Sequence, residues 1–100
     1  MKYNKLVRDN IPEIIKKKGG RPLTHCAGDR EYWIMLKEKL AEEVKEFVNH
    51  PVMEELADIQ EVLEAISHYK KFDLKKLSKI KKAKAKSNGR FTKKIILDES

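Results

Sequence analysis

Nothing in this 100-residue sequence stays apolar for long. No run approaches the ~20 residues a membrane-spanning helix needs, and the opening MKYNKLVRDN lacks the apolar stretch of a signal peptide. Cysteine is almost absent: the single Cys26 excludes an intrachain disulfide and fits a reducing interior. A cytoplasmic protein is therefore the expectation. His25 beside Cys26 suggests a metal, but no second ligand pair stands at zinc-like spacing, so the two read as loop. Also missing are a G-x-G-x-x-G, a Walker-type phosphate loop, an internal repeat and any strand–helix–strand pattern. What remains is an all-α class with at most a minor extended element.

Two carboxylate pairs stand out against this background. Glu43 and Glu46 form an E-x-x-E, and Glu55 and Asp58 an E-x-x-D, with eight residues between the motifs. Residues three apart on a helix are neighbours, with Cβ atoms roughly 5–6 Å apart, and like charges there repel. Both pairs also continue apolar stripes: Leu36, Leu40, Glu43 and Phe47 on one helix, and Glu55, Ile59, Val62 and Ile66 on the next, with Asp58 adjoining Val62. Carboxylates facing a helix–helix seam are costly unless compensated. A hard divalent cation with oxygen ligands resolves the conflict, Mg²⁺ above all when phosphates complete its shell and Mn²⁺ as a substitute. Charged residues make up 39% of the chain, so a single acidic pair on a solvated face would carry little weight. Glu38, Glu42, Glu54 and Glu61 read as such solvated residues, with Lys39 and Lys45 near enough to pair. Two motifs on consecutive helices favour a metal site.

Four helices are predicted in one domain covering residues 1–100. Asp9 or Asn10 caps the first, with Pro12 in its opening turn and Gly19-Gly20 at its end. Asp29 caps a long second helix reaching about Asn49. After His50-Pro51 a third helix, near 52–70, returns antiparallel to the second, so that the hairpin brings the carboxylate pairs face to face. Asp73 caps a fourth, from about Leu74 to Lys86, stopped by Ser87-Asn88-Gly89. The tail FTKKIIL, rich in β-formers, reads as a short strand or an extended arm packing on a neighbour. A core this small, with carboxylates turned inward, predicts a homodimer or homotetramer. The net charge of +7 favours a polyanionic partner.

Together the motifs have a family likeness. E-x-x-E followed after a short gap by E-x-x-D on two antiparallel helices resembles the all-α nucleoside triphosphate pyrophosphatases of the MazG type. KLVRDNIPEII, EELADIQEVLEAI and GRFTKKIIL are similar to the phosphoribosyl-ATP pyrophosphohydrolase-like branch over nearly the full length. The resemblance implies Mg²⁺-dependent cleavage between the α- and β-phosphates of a nucleotide, giving a monophosphate and pyrophosphate. Carried over by position, Glu43, Glu46, Glu55 and Asp58 match its metal-binding carboxylates, and Lys5, Arg8 and Asp9 match a charged N-terminal motif. The C-terminal part departs from the pattern: KAKAKSNGRF stands where relatives carry an arginine-containing stretch, two glycines and Phe, and Asn88 and Arg90 replace the arginine and the second glycine. That departure puts substrate choice in doubt more than reaction type, and it favours removal of unwanted nucleotides over a step in histidine biosynthesis.

Within this reading Glu46 is the chosen general base, because Glu43 continues the apolar stripe more directly. Lys5, Arg8, Lys84 and Arg90 are the candidate phosphate-binding groups, Arg8 the best of them by family position; Lys84 reads more readily as a solvated lysine in a lysine-rich helix. Tyr3, Trp33, Tyr69 and Phe91 can stack on a base or fill a core. Two rivals remain. One is a basic nucleic-acid-binding module built on Lys75, Lys76, Lys79, Lys81, Lys82, Lys84 and Lys86, which has no interleaved aromatics to read bases. The other is a catalytically silent helical dimer whose carboxylates form salt bridges with lysines.

Overall fold

The computed structural model describes residues 4–100, and among them the chain is all-helical, with no strand. The elements are α1 (Ile11–Lys17), α2 (Asp29–Asn49), α3 (Met53–Tyr69) and α4 (Leu74–Asn88). Pro12 sits in the opening turn of α1, where its missing N–H costs nothing. Gly19, at φ +89°, supplies the left-handed residue that ends it. The cap of α2 is Gly28 rather than Asp29: Gly28 is extended and its carbonyl accepts from the Tyr32 N–H at 2.8 Å. Asp29 lies inside the first turn, where its charge still favours the helix N-terminus. At α4 the expected cap is present. The Asp73 carboxylate accepts from the Lys75 N–H at 2.9 Å and from the Lys76 N–H at 3.3 Å. That helix runs through Asn88 and ends at Gly89, φ +85°.

Packing is concentrated between α2 and α3. Leu36 of α2 is fully buried and Val62 of α3 nearly so, and the flanking Leu40, Phe47, Ile59 and Ile66 are half-buried. Burying one such side chain contributes about 1.5–3 kcal/mol, so this seam is the main source of apolar stabilisation within the chain. At one end of the seam, the Trp33 and Tyr69 rings stack with centroids 5.5 Å apart, and the Tyr69 hydroxyl donates to the Asp29 carbonyl at 3.2 Å. At the other end lie the carboxylates.

Neither α1 nor α4 contributes a buried residue. The tail after α4 forms no strand; Ile95, Ile96 and Leu97 are each more than three-quarters exposed. A strand needs a partner for its backbone groups, and the described residues offer none. The radius of gyration is 17.9 Å, against ~13 Å for a compact chain of this length.

Candidate metal centre

Glu43 is the only charged residue among the described ones that α2 and α3 bury together, and it is buried for a simple geometric reason. It stands seven residues after Leu36, two helical turns along the same face. Its relative exposure is 6%. Across the seam, Glu55 and Asp58 project from the first turns of α3, both half-buried. One carboxylate oxygen from each of Glu43, Glu55 and Asp58 lies within 4.8 Å of the other two. Oε2 of Glu43 and Oε2 of Glu55 are both buried without a hydrogen-bond partner. An orphaned buried acceptor is expensive, and an anionic one more so.

Basic side chains compensate part of this charge. Lys39, one turn before Glu43, holds its Nζ 3.4 Å from Glu43 Oε1 and 3.6 Å from Glu42 Oε1. Arg8 Nη2 donates to Asp58 Oδ1 at 2.7 Å, while its Nη1 stands 3.9 Å from Glu61. The result at Glu43 is a carboxyl pushed above its ordinary value. Desolvation is the largest cause, followed by the charge of Glu46; Lys39 opposes both, and Asp58 adds a smaller push upward. Three carboxylates converging at this spacing, two of which carry an unpartnered buried oxygen, form a donor set that suits a hard divalent cation.

Glu46 is exposed and is not one of the three converging carboxylates. Three residues along a helix is about 60° short of a full turn, so Glu46 leans to the rim while Glu43 points into the seam. It still acts on Glu43 through its charge. Lys5 stands on the α2 side, its Nζ 3.5 Å from Glu42. Glu42 is thus tied to two lysines rather than simply solvated. Lys84 and Arg90 are exposed, form no ion pair among the described residues, and are not brought to the cluster. Phe91 is fully exposed, Trp33 and Tyr69 are spent on each other, and Tyr3 lies outside the described residues. His25 and Cys26 lie in the exposed loop, with His25 3.0 Å from Glu31.

An open groove of about 780 Å³ runs alongside the cluster, between the N-terminal segment and the α2–α3 seam. Its lining includes Arg8, Glu43 and Asp58 together with Ile11, Tyr32, Leu36 and Val62. Charged and apolar side chains therefore line one cleft, with carboxylates outnumbering the basic groups Arg8 and Lys39. Lys39 and Glu61 are the site residues that sequence spacing undervalued. The i, i+4 relation of Lys39 to Glu43 was the available signal.

No family model matches the chain, and no solved structure does. A stretch of 41 residues is 51% identical to an uncharacterized protein of Mycolicibacterium smegmatis. That stretch is 41% of this chain and 42% of the relative, so the likeness spans less than half of either. It carries no activity across to this chain.

Proposed function

We propose that this chain is a Mg²⁺-dependent nucleotide pyrophosphohydrolase, cleaving between the α- and β-phosphates to give a monophosphate and pyrophosphate. The observation that carries the reading is the convergence of Glu43, Glu55 and Asp58 with two buried oxygens left unpartnered. Those three residues would hold Mg²⁺ or Mn²⁺. An ion there would neutralise non-bridging phosphate oxygens and lower the pKa of nearby water. Glu46, at the rim and outside the trio, is the group assigned to take the proton from the attacking water. Arg8, which lines the groove, would face the phosphate chain as charge develops on the leaving pyrophosphate, whereas Lys5, paired with Glu42 outside the groove lining, would have to swing to reach it. The apolar side of the groove receives the nucleoside and excludes water from it. Removal of unwanted nucleotides remains the preferred role, with phosphoribosyl-ATP hydrolysis as the variant within the same chemistry.

The antiparallel α2–α3 hairpin is part of this proposal, since it is what faces the two motifs towards each other. So is self-association into a dimer or tetramer, supported by the extended shape and by exposed apolar residues such as Leu77, Ile80 and Ile95–Leu97. In such an assembly Lys84 or Arg90 would serve a site from a neighbouring chain.

The silent-dimer alternative draws support from the Lys39–Glu43 and Arg8–Asp58 pairs. Against it stand the two unpartnered oxygens, which ion pairing alone leaves unexplained. The nucleic-acid alternative draws on the exposed lysines of α4, and it gives the acidic seam no purpose. Release of pyrophosphate from a nucleotide panel in the presence of Mg²⁺ separates the enzyme from both.

A further inference from the structure

The N-terminal segment is strapped across the seam by charge at two points. Lys5 reaches Glu42 on α2 at 3.5 Å, and Arg8 reaches Asp58 on α3 at 2.7 Å. Between them Leu6 is half-buried. Just beyond, the Ile11 N–H bonds back to the Arg8 carbonyl at 3.1 Å, fixing the backbone that carries the guanidinium. The Arg8 side chain itself is held only by carboxylates, Asp58 and more distantly Glu61.

Its contact with Asp58 is an unusual use of an arginine. One nitrogen donates to one oxygen, and the second drifts to Glu61 at 3.9 Å, so the planar fork is not used bidentately. Both partners are more than a third exposed, which makes the pair weak and easily exchanged. Asp58 is also one of the three converging carboxylates. A divalent cation and a guanidinium therefore compete for the same negative charge, and their mutual repulsion disfavours both being held there at once. A phosphate chain arriving in the groove that Arg8 itself lines offers the guanidinium a better, bidentate partner.

We infer that Arg8 is an exchangeable latch: it neutralises Asp58 while the cluster is empty and transfers to the substrate's phosphates when a cation takes the carboxylate. The inference rests on the proposed metal reading and adds an order of events to it. Cation and phosphate binding become mutually reinforcing, because each removes the partner that blocks the other. Arg8 thereby guards the cluster against a cation arriving without its nucleotide.

The test is direct Mn²⁺ titration, followed by electron paramagnetic resonance of the free ion, on wild type, Arg8→Gln and Arg8→Lys. Circular dichroism establishes that each variant keeps its helices. Without any anion, Arg8→Gln is expected to bind Mn²⁺ roughly fivefold or more tightly than wild type, and Arg8→Lys, which keeps the charge, to stay nearer wild type. Added inorganic pyrophosphate should tighten Mn²⁺ binding more in wild type than in Arg8→Gln. Equal or weaker Mn²⁺ binding by Arg8→Gln, with wild type binding normally, overturns the latch and makes Arg8 a residue that orients Asp58. Absence of Mn²⁺ binding in all three proteins overturns the metal reading itself, and the latch with it.

Discussion

Trp33 and Tyr69 lie with their ring planes 2° apart and centroids 5.5 Å apart, one on each of the two helices that make the core. Lys70 places its ammonium 4.1 Å from the Trp33 ring centroid, and Tyr32 meets Tyr69 edge-on at 5.6 Å. This cluster clasps the start of α2 to the end of α3, at the opposite end of the seam from the carboxylates. It fixes the register in which Glu43 faces Glu55 and Asp58.

Trp33→Ala should therefore destabilise the fold by about 2–3 kcal/mol, combining lost burial, stacking and the cation–π contact. Tyr69→Phe keeps the stack and removes only the hydrogen bond to the Asp29 carbonyl, so its loss should be about 1 kcal/mol. Urea unfolding followed by circular dichroism measures both. Equal effects would mean the stack contributes nothing beyond the hydroxyl.

Burial of Glu43 sets a pH dependence. Its folded-state carboxyl is raised above the ordinary 4.5, chiefly by desolvation. A raised carboxyl stabilises the fold fully below the unfolded value and loses that contribution as pH rises through the folded value. The Glu43 contribution to the stability of the metal-free protein should accordingly decline above about pH 4.5, and Glu43→Gln, compared with wild type across pH, should remove that decline and raise stability at neutral pH. Mg²⁺ should reverse the order. At 100 times its Kd it would add about 2.7 kcal/mol to wild type and much less to Glu43→Gln. Thermal melts across pH with and without Mg²⁺ give the comparison; a wild type indifferent to Mg²⁺ would contradict it.

The extended shape and exposed apolar tail lead to an expected assembly. Sedimentation at micromolar concentration should give a dimer or larger species. A clean monomer that still turns over substrate would remove self-association from the account.

Glu46→Gln preserves size and removes the base. Turnover should fall about 10²–10⁴-fold, while Mn²⁺ binding should persist, because Glu46 is not among the three carboxylates that converge. Loss of metal binding in this variant would make Glu46 a ligand rather than the base.

Much of the architecture was legible because local rules and packing agree. The stripe through Leu36 and Glu43, the Asp73 cap and the breaks at Gly19 and Pro51 all follow from spacing and backbone preference. The stripe also separates the two members of E-x-x-E, Glu43 continuing it more directly than Glu46, and a 60° difference around α2 buries the first and exposes the second; what spacing overstated was Glu46 as a fourth converging carboxylate. The same rules could not join Arg8 to Asp58, fifty residues apart in sequence, since that pair depends on how the N-terminal segment crosses the finished seam. For the tail, spacing left a strand and an extended arm both open. Ile95, Ile96 and Leu97 favour a strand, but propensity without a partnering strand does not make one, and the segment runs without regular structure.

The central claim is the reaction, and its product decides it. Wild-type protein incubated with a broad nucleotide panel and Mg²⁺ should release pyrophosphate and the matching monophosphate from at least one member, and Asp58→Asn should not. Orthophosphate with a diphosphate, or no product from any nucleotide with either Mg²⁺ or Mn²⁺, would contradict the assignment.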